Sequence, residues 1–172
     1  TFRNTTSLLE DKLKLDVSAQ YVKQTDRNMV NQGIYSNPIV PVYLYPRGED
    51  WEYAKIYEQY DATRKIMSQN WEWMGKGGIE WDNPYWTAYR NLRENDKSRY
   101  MLSGGLSWDI LDWLKLSGRV RVDNTDSDYT EKVSATTNPT ITEGSSNGYY
   151  MMERAQERQT YADVMLLINK RF

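Results

Sequence analysis

The 172-residue sequence predicts an all-β chain, a sector of a transmembrane antiparallel β-barrel with about four strands and long extracellular loops containing a short helix. Three observations predict it. Four segments alternate apolar and polar residues, the mark of strands with one apolar and one wet face. Their connections run long, short, long, and outer-membrane barrels gather short turns at the periplasmic end and long loops at the other. The aromatic content is 14 Tyr and 7 Trp against 2 Phe. Amphipathic rings of this kind collect at membrane interfaces and binding surfaces.

The first strand is expected over about 11–23, with Leu13, Leu15, Val17, Ala19 and Tyr21 on one face and Lys12, Lys14, Asp16, Ser18 and Gln20 on the other. The second, about 98–110, sets Tyr100, Leu102, Gly104, Leu106, Trp108 and Ile110 against Arg99, Met101, Ser103, Gly105, Ser107 and Asp109. The third, about 113–123, sets Leu114, Leu116, Gly118, Val120 and Val122 against Lys115, Ser117, Arg119, Arg121 and Asp123. The fourth, about 159–172, is less clean, because Met165 and Leu167 fall on its nominally wet side. Leu111-Asp112-Trp113 reads as a tight hairpin turn between the second and third strands.

The long loops are expected over about 24–97 and 124–158. In the first, Asn37-Pro38 and Tyr45-Pro46-Arg47-Gly48 are turn signals, and Glu49 to Ser68 reads as a helix. Asn124 to Ser146, rich in Ser, Thr, Asn and Asp, reads as mobile and solvated. Tyr100 and Trp108 bracket an apolar stretch that spans roughly 19 Å along a barrel normal at a tilt near 45°, within an apolar band of about 25 Å. The same alternation also fits a secreted, soluble β-sandwich that binds carbohydrate.

Composition excludes several classes. The chain has no Cys and no His, which removes disulfides, thiol catalysis and His-based acid–base chemistry. A net charge of -2 with no basic patch sets nucleic acid aside. No apolar run is long enough for a transmembrane helix, and the mean hydropathy of -0.84 is compatible with half-apolar barrel strands. Thr1-Phe2-Arg3 and Lys170-Arg171-Phe172 read as cuts within a longer sequence.

Several motifs follow one another in order: Asn37-Pro38, Tyr45-Pro46-Arg47-Gly48-Glu49-Asp50-Trp51, Asn70-Trp71, Asn83-Pro84-Tyr85-Trp86 and Tyr89-Arg90-Asn91. Trp108-Asp109-Ile110-Leu111-Asp112-Trp113-Leu114-Lys115-Leu116-Ser117-Gly118-Arg119 completes the set. Together they resemble the SusC/RagA-type TonB-dependent transporters of Bacteroidetes outer membranes. The resemblance covers nearly all of residues 1–172 as part of the receptor's barrel domain, without its plug domain or Ton box. It implies a 22-stranded, plugged barrel in the cell outer membrane that imports glycans or oligopeptides. The implied partners are a SusD-like surface lipoprotein lid, TonB acting through the plug, the oligosaccharide or peptide substrate, and outer-membrane lipid. It implies no enzyme activity, no cofactor and no metal.

Flat rings can stack on sugar faces, so Trp71, Trp73 and Trp81, with Arg119 on the wet face of the third strand, are the expected substrate-binding residues. Trp51, Tyr85 and Trp86 belong to shared motifs and are expected to build the loop or contact the lid. Asp123, Asn124, Asp126 and Asp128 resemble the start of a calcium loop but lack its glycine and distal Glu. Glu72 and Glu80 could be paired as glycosidase carboxylates, yet nothing in the sequence constrains their separation.

Overall fold

The computed structural model describes residues 1–30, 32–72 and 81–170. In chain order the elements are β1 (Phe2–Leu8), β2 (Leu13–Arg27), α1 (Ile39–Leu44), α2 (Glu52–Lys55), β3 (Glu58–Asp61) and β4 (Ile66–Gln69). They continue with α3 (Pro84–Arg90), β5 (Leu92–Leu111), β6 (Leu114–Val133) and β7 (Tyr149–Ile168). The chain is mostly β, with a large antiparallel sheet in the order β1–β2–β5–β6–β7 and a small β3–β4 hairpin.

The backbone divides into two compact units, one of Thr1–Gln24, Asp96–Asp128 and Arg154–Phe172, the other of Thr25–Asn95 and Tyr129–Glu153. The first is here called the sheet unit. In it β1 pairs antiparallel with β2 from Phe2↔Ala19 to Leu8↔Leu13. The turn between them puts Leu9, Glu10 and Asp11 all at positive φ (54°, 54° and 69°). β2 and β5 are tied where Asp109 N donates to Lys12 O at 2.8 Å and where the Ser18 and Ser103 hydroxyls meet at 2.7 Å. At that common offset Tyr21 falls opposite Tyr100. β6 and β7 meet through Asn169 N to Trp113 O at 2.9 Å. Both short turns therefore lie at one end of the sheet.

The sheet unit has no buried hydrophobic side chain among the described residues. Ala54, Trp81, Trp86 and Val133, the buried hydrophobic set, all belong to the other unit. Instead, one face of the sheet exposes Val17, Tyr21, Tyr100, Leu102, Leu106, Trp108, Val120, Val164 and Leu166. This face ends at a shared level. Tyr21, Tyr100, Val122 and Ala162 are its last apolar positions, and the next residues on the same side are Lys23, Ser98, Asn124 and Thr160. The opposite face is a ladder of polar pairs: Thr5–Asp16, Ser18–Ser103, Arg99–Asp123, Lys115–Asp109 and Arg119–Asp163.

Several expectations need correction. β5, β6 and β7 run 20 residues each, so 92–97, 124–133 and 149–158 are strand rather than extracellular loop. Apolar alternation stops where the apolar positions of one face end, whereas the backbone ladder needs only paired amides and runs on. Asn124 to Ser146 is likewise not a solvated coil. It continues β6, and Thr137, Asn138 and Thr142 beyond it are buried. The helix expected over 49–68 shrinks to α2, followed by the β3–β4 hairpin. The Asp61 carboxylate accepts the Thr63 and Arg64 amides (2.9 and 3.1 Å) and Lys65 takes φ 55°, which fixes a turn where a helix would have to continue. β1, α1 and α3 join the expected elements.

Candidate functional site

The second unit, Thr25–Asn95 with Tyr129–Glu153, is the loop unit, and it gathers the aromatic motifs. Asn83 caps α3: its Oδ1 accepts the Tyr85 amide at 2.9 Å, and Pro84 occupies the first turn, where no amide donor is missed. The Asn83 side chain is completely buried and its Nδ2 donates to Ala54 O at 2.8 Å, which pins α2 to α3. α3 then turns Trp86 inward. Its ring is fully buried and its Nε1 donates to Thr137 Oγ1 at 2.8 Å. Thr137 donates in turn to Asn91 Oδ1 at 3.1 Å, and the Ser134 amide reaches the same oxygen.

Asp82 is the central tie. It is 1% exposed, and its Oδ1 accepts from Gln69 Nε2 at 2.7 Å and from the Asn138 amide at 2.9 Å. Gln69 also donates its amide to Thr136 Oγ1 and accepts the Asn83 amide, at 2.7 and 2.6 Å. One carboxylate therefore joins β4, α3's leading segment and the stretch after β6. Its Oδ2 is buried and has no hydrogen-bond partner among the described residues. Burial pushes the carboxyl up to about 6, against the opposing pull of the Gln69 and Asn138 hydrogen bonds.

On the unit's surface the rings form a continuous ribbon. Trp71 stacks on Tyr45 at 5.9 Å, Tyr45 meets Trp51 edge-on at 4.8 Å, and Trp51 donates its Nε1 to the Tyr85 hydroxyl at 3.2 Å. Tyr85 stacks on Tyr89 at 6.3 Å, and Tyr89 lies 5.6 Å from Tyr57. Arg90, paired with Glu58, closes the ribbon's end and lies 6.0 Å from the Trp86 ring.

Against this geometry the expected division of the aromatics changes. Trp81 is 8% exposed, so its ring packs in the core and has no face to offer a sugar; this corrects its assignment to substrate. Trp71 is half-buried and shares one ribbon with Trp51 and Tyr85, so these three rings form a single surface rather than two classes. Trp86, expected to build the loop or contact the lid, is fully buried. Trp73 and Glu80 lie outside the described residues. Arg119 sits on the polar face of the sheet unit, ion-paired to Asp163 at 2.6 Å and 5.7 Å from the Tyr161 ring. Glu72 is exposed. Asp123, Asn124, Asp126 and Asp128 are spread along β6; Asp123 binds Arg99 and Asp128 binds Arg154, and the described residues contain no acidic or His/Cys cluster suited to a metal.

Tyr45, Tyr89 and Asn91 stand in the sequence motifs with no site role expected of them, and neither was one expected of Tyr57, Asp82 or Asn138. Asn83-Pro84 did carry a usable signal, since that pair is a helix-start signature. Comparison with family models, curated proteins and solved structures gives no match.

Proposed function

We propose that the β1–β2–β5–β6–β7 sheet is a wall sector of a transmembrane β-barrel in the cell outer membrane. Its apolar face meets lipid and its ion-paired face meets the lumen. The ordered motifs extend the proposal to a 22-stranded, SusC-like importer that takes up glycans or oligopeptides. Such an importer works with a SusD-like lipoprotein lid and with TonB acting through a plug. In this reading the loop unit is extracellular, and its aromatic ribbon meets cargo or lid.

The observation that carries the reading is the bare apolar face with its level edge. A soluble sheet covers such a face with a second layer, and a sandwich needs two stacked sheets. Here the second sheet is a hairpin of four-residue strands, and it belongs to the other unit. From Tyr100 to Ile110 the face extends about 24 Å at about 3.4 Å per residue and about 45° tilt, which matches an apolar band of about 25 Å. Trp108 and Trp113 stand near the lower end, with Lys170 5.0 Å from the Trp113 ring, a pairing suited to a membrane interface.

Light scattering of the chain with and without detergent tests the proposal. Association in plain buffer and a uniform detergent complex are expected, because the apolar face and the outer edges of β1 and β7 both need partners. A monodisperse, cooperatively folding monomer in buffer overturns it.

A further inference from the structure

We propose that the polar face of the sheet carries a subsite for an oxyanion, a carboxylate or sulfate borne by the cargo. That it serves cargo rests on the barrel reading above. A hollow of roughly 510 Å³ opens on this face. Gly105 is its floor. A Cβ there would lie 3.9 Å from the Cβ atoms of both Arg119 and Asp16, so the missing side chain is what leaves the space between them. Arg3, Arg119 and Arg121 line the hollow together with Ser103 and Tyr161.

The lining of the hollow is positive. Asp123 gives both oxygens to Arg99, at 2.8 and 2.6 Å, and shares Oδ2 with Arg121 at 3.2 Å. Arg121's other contact is the Met101 sulfur at 3.2 Å, a weak acceptor. One carboxylate thus serves two cations. Arg119 is oriented by Asp163 through Nε, and a guanidinium has further donors beyond that one. Asp16 opposes an anion, but it stands 3.6 Å from Arg3 and also accepts from Thr5. Among the residues that line the hollow, three cations, Arg3, Arg119 and Arg121, stand against one carboxylate, Asp16; Asp163 and the shared Asp123 pair with them from outside the lining, and Arg99 is also drawn toward Glu157. Arg119 and Arg121 are neighbours on one face of β6, so an oxyanion between them meets two planar donor forks of the kind that recognise carboxylate and sulfate.

Calorimetric titration of the chain in detergent, with its size checked on the same sample, tests this. The probes are glucuronate, inorganic sulfate and glucose. Glucuronate or sulfate is expected to bind and glucose is not; the tighter of the two anions identifies the group as carboxylate or sulfate. Arg121→Gln should weaken the anion about tenfold or more, the loss of a charge-assisted hydrogen bond. Gly105→Leu should weaken it comparably at unchanged charge, and Val164→Leu on the apolar face, away from the hollow, should leave it unchanged. Equal affinity in all variants would mean an adventitious ion only and overturns the subsite, as does absence of anion binding by the parent chain. A sample that is monodisperse without detergent overturns the barrel reading separately and leaves the titration readable.

Discussion

Replacing Asp82 by Asn isolates the energetic role of the one charged side chain buried in the loop unit among the described residues. Asn keeps the oxygen that accepts from Gln69 and from the Asn138 amide, and it exchanges the partnerless Oδ2 for a neutral amide. The carboxyl stands at about 6 in the folded chain against 3.8 for an ordinary Asp. At about 1.4 kcal/mol per unit, that difference is worth roughly 3 kcal/mol. Its sign follows from proton binding. The folded state holds this proton more tightly than the opened state does. The stabilisation is therefore complete below about pH 4 and disappears as pH rises through about 6. Hydrogen exchange at the Asn138 amide in detergent reads the opening free energy directly. The parent chain should lose roughly 3 kcal/mol of protection between pH 4 and pH 7.5. Asp82→Asn should lose little and should be the more protected at pH 7.5. Equal pH dependence in both chains, or a less protected Asn variant at pH 7.5, would refute the reasoning.

Trp86→Ala removes a fully buried ring and should destabilise the loop unit by about 3–5 kcal/mol, seen as faster proteolysis around Thr137. Val164→Arg, at a position 77% exposed on the apolar face, should reduce insertion into vesicles by about 2–4 kcal/mol of stability; Ser107→Arg on the opposite face should not. With brominated lipid, Trp108→Phe should remove part of the tryptophan quenching, and Trp86→Phe should leave it unchanged. Gly148→Ala should cost at least about 1 kcal/mol in thermal unfolding, because φ is +89° and the new Cβ would overlap Val133 O.

What the sequence disclosed was the part of each strand where one face changes environment at every second residue. Leu102, Leu106 and Trp108 write that alternation plainly, and their exposure in the structure is the same fact seen in space. β1 and the far ends of β5, β6 and β7 have polar residues on both sides, so nothing in their composition separates strand from coil. Glu49 to Ser68 misled for another reason: its apolar spacing suits a helix, but the turn at Asp61 is decided by two side-chain hydrogen bonds that hydropathy does not register. Trp71 and Trp81 are alike in sequence. Only the fold separates the half-exposed ring from the buried one.

The buried set of the loop unit is unusual in kind: Asn83, Asn91, Asn138, Thr142 and Asp82 stand beside Trp86 and Ala54. Exposing amide and hydroxyl surface lowers the heat capacity, whereas exposing apolar surface raises it. Unfolding this unit therefore carries a small heat-capacity increment for its size. Its stability changes gently with temperature, and this unit is held with nearly even strength in cold and in warm surroundings.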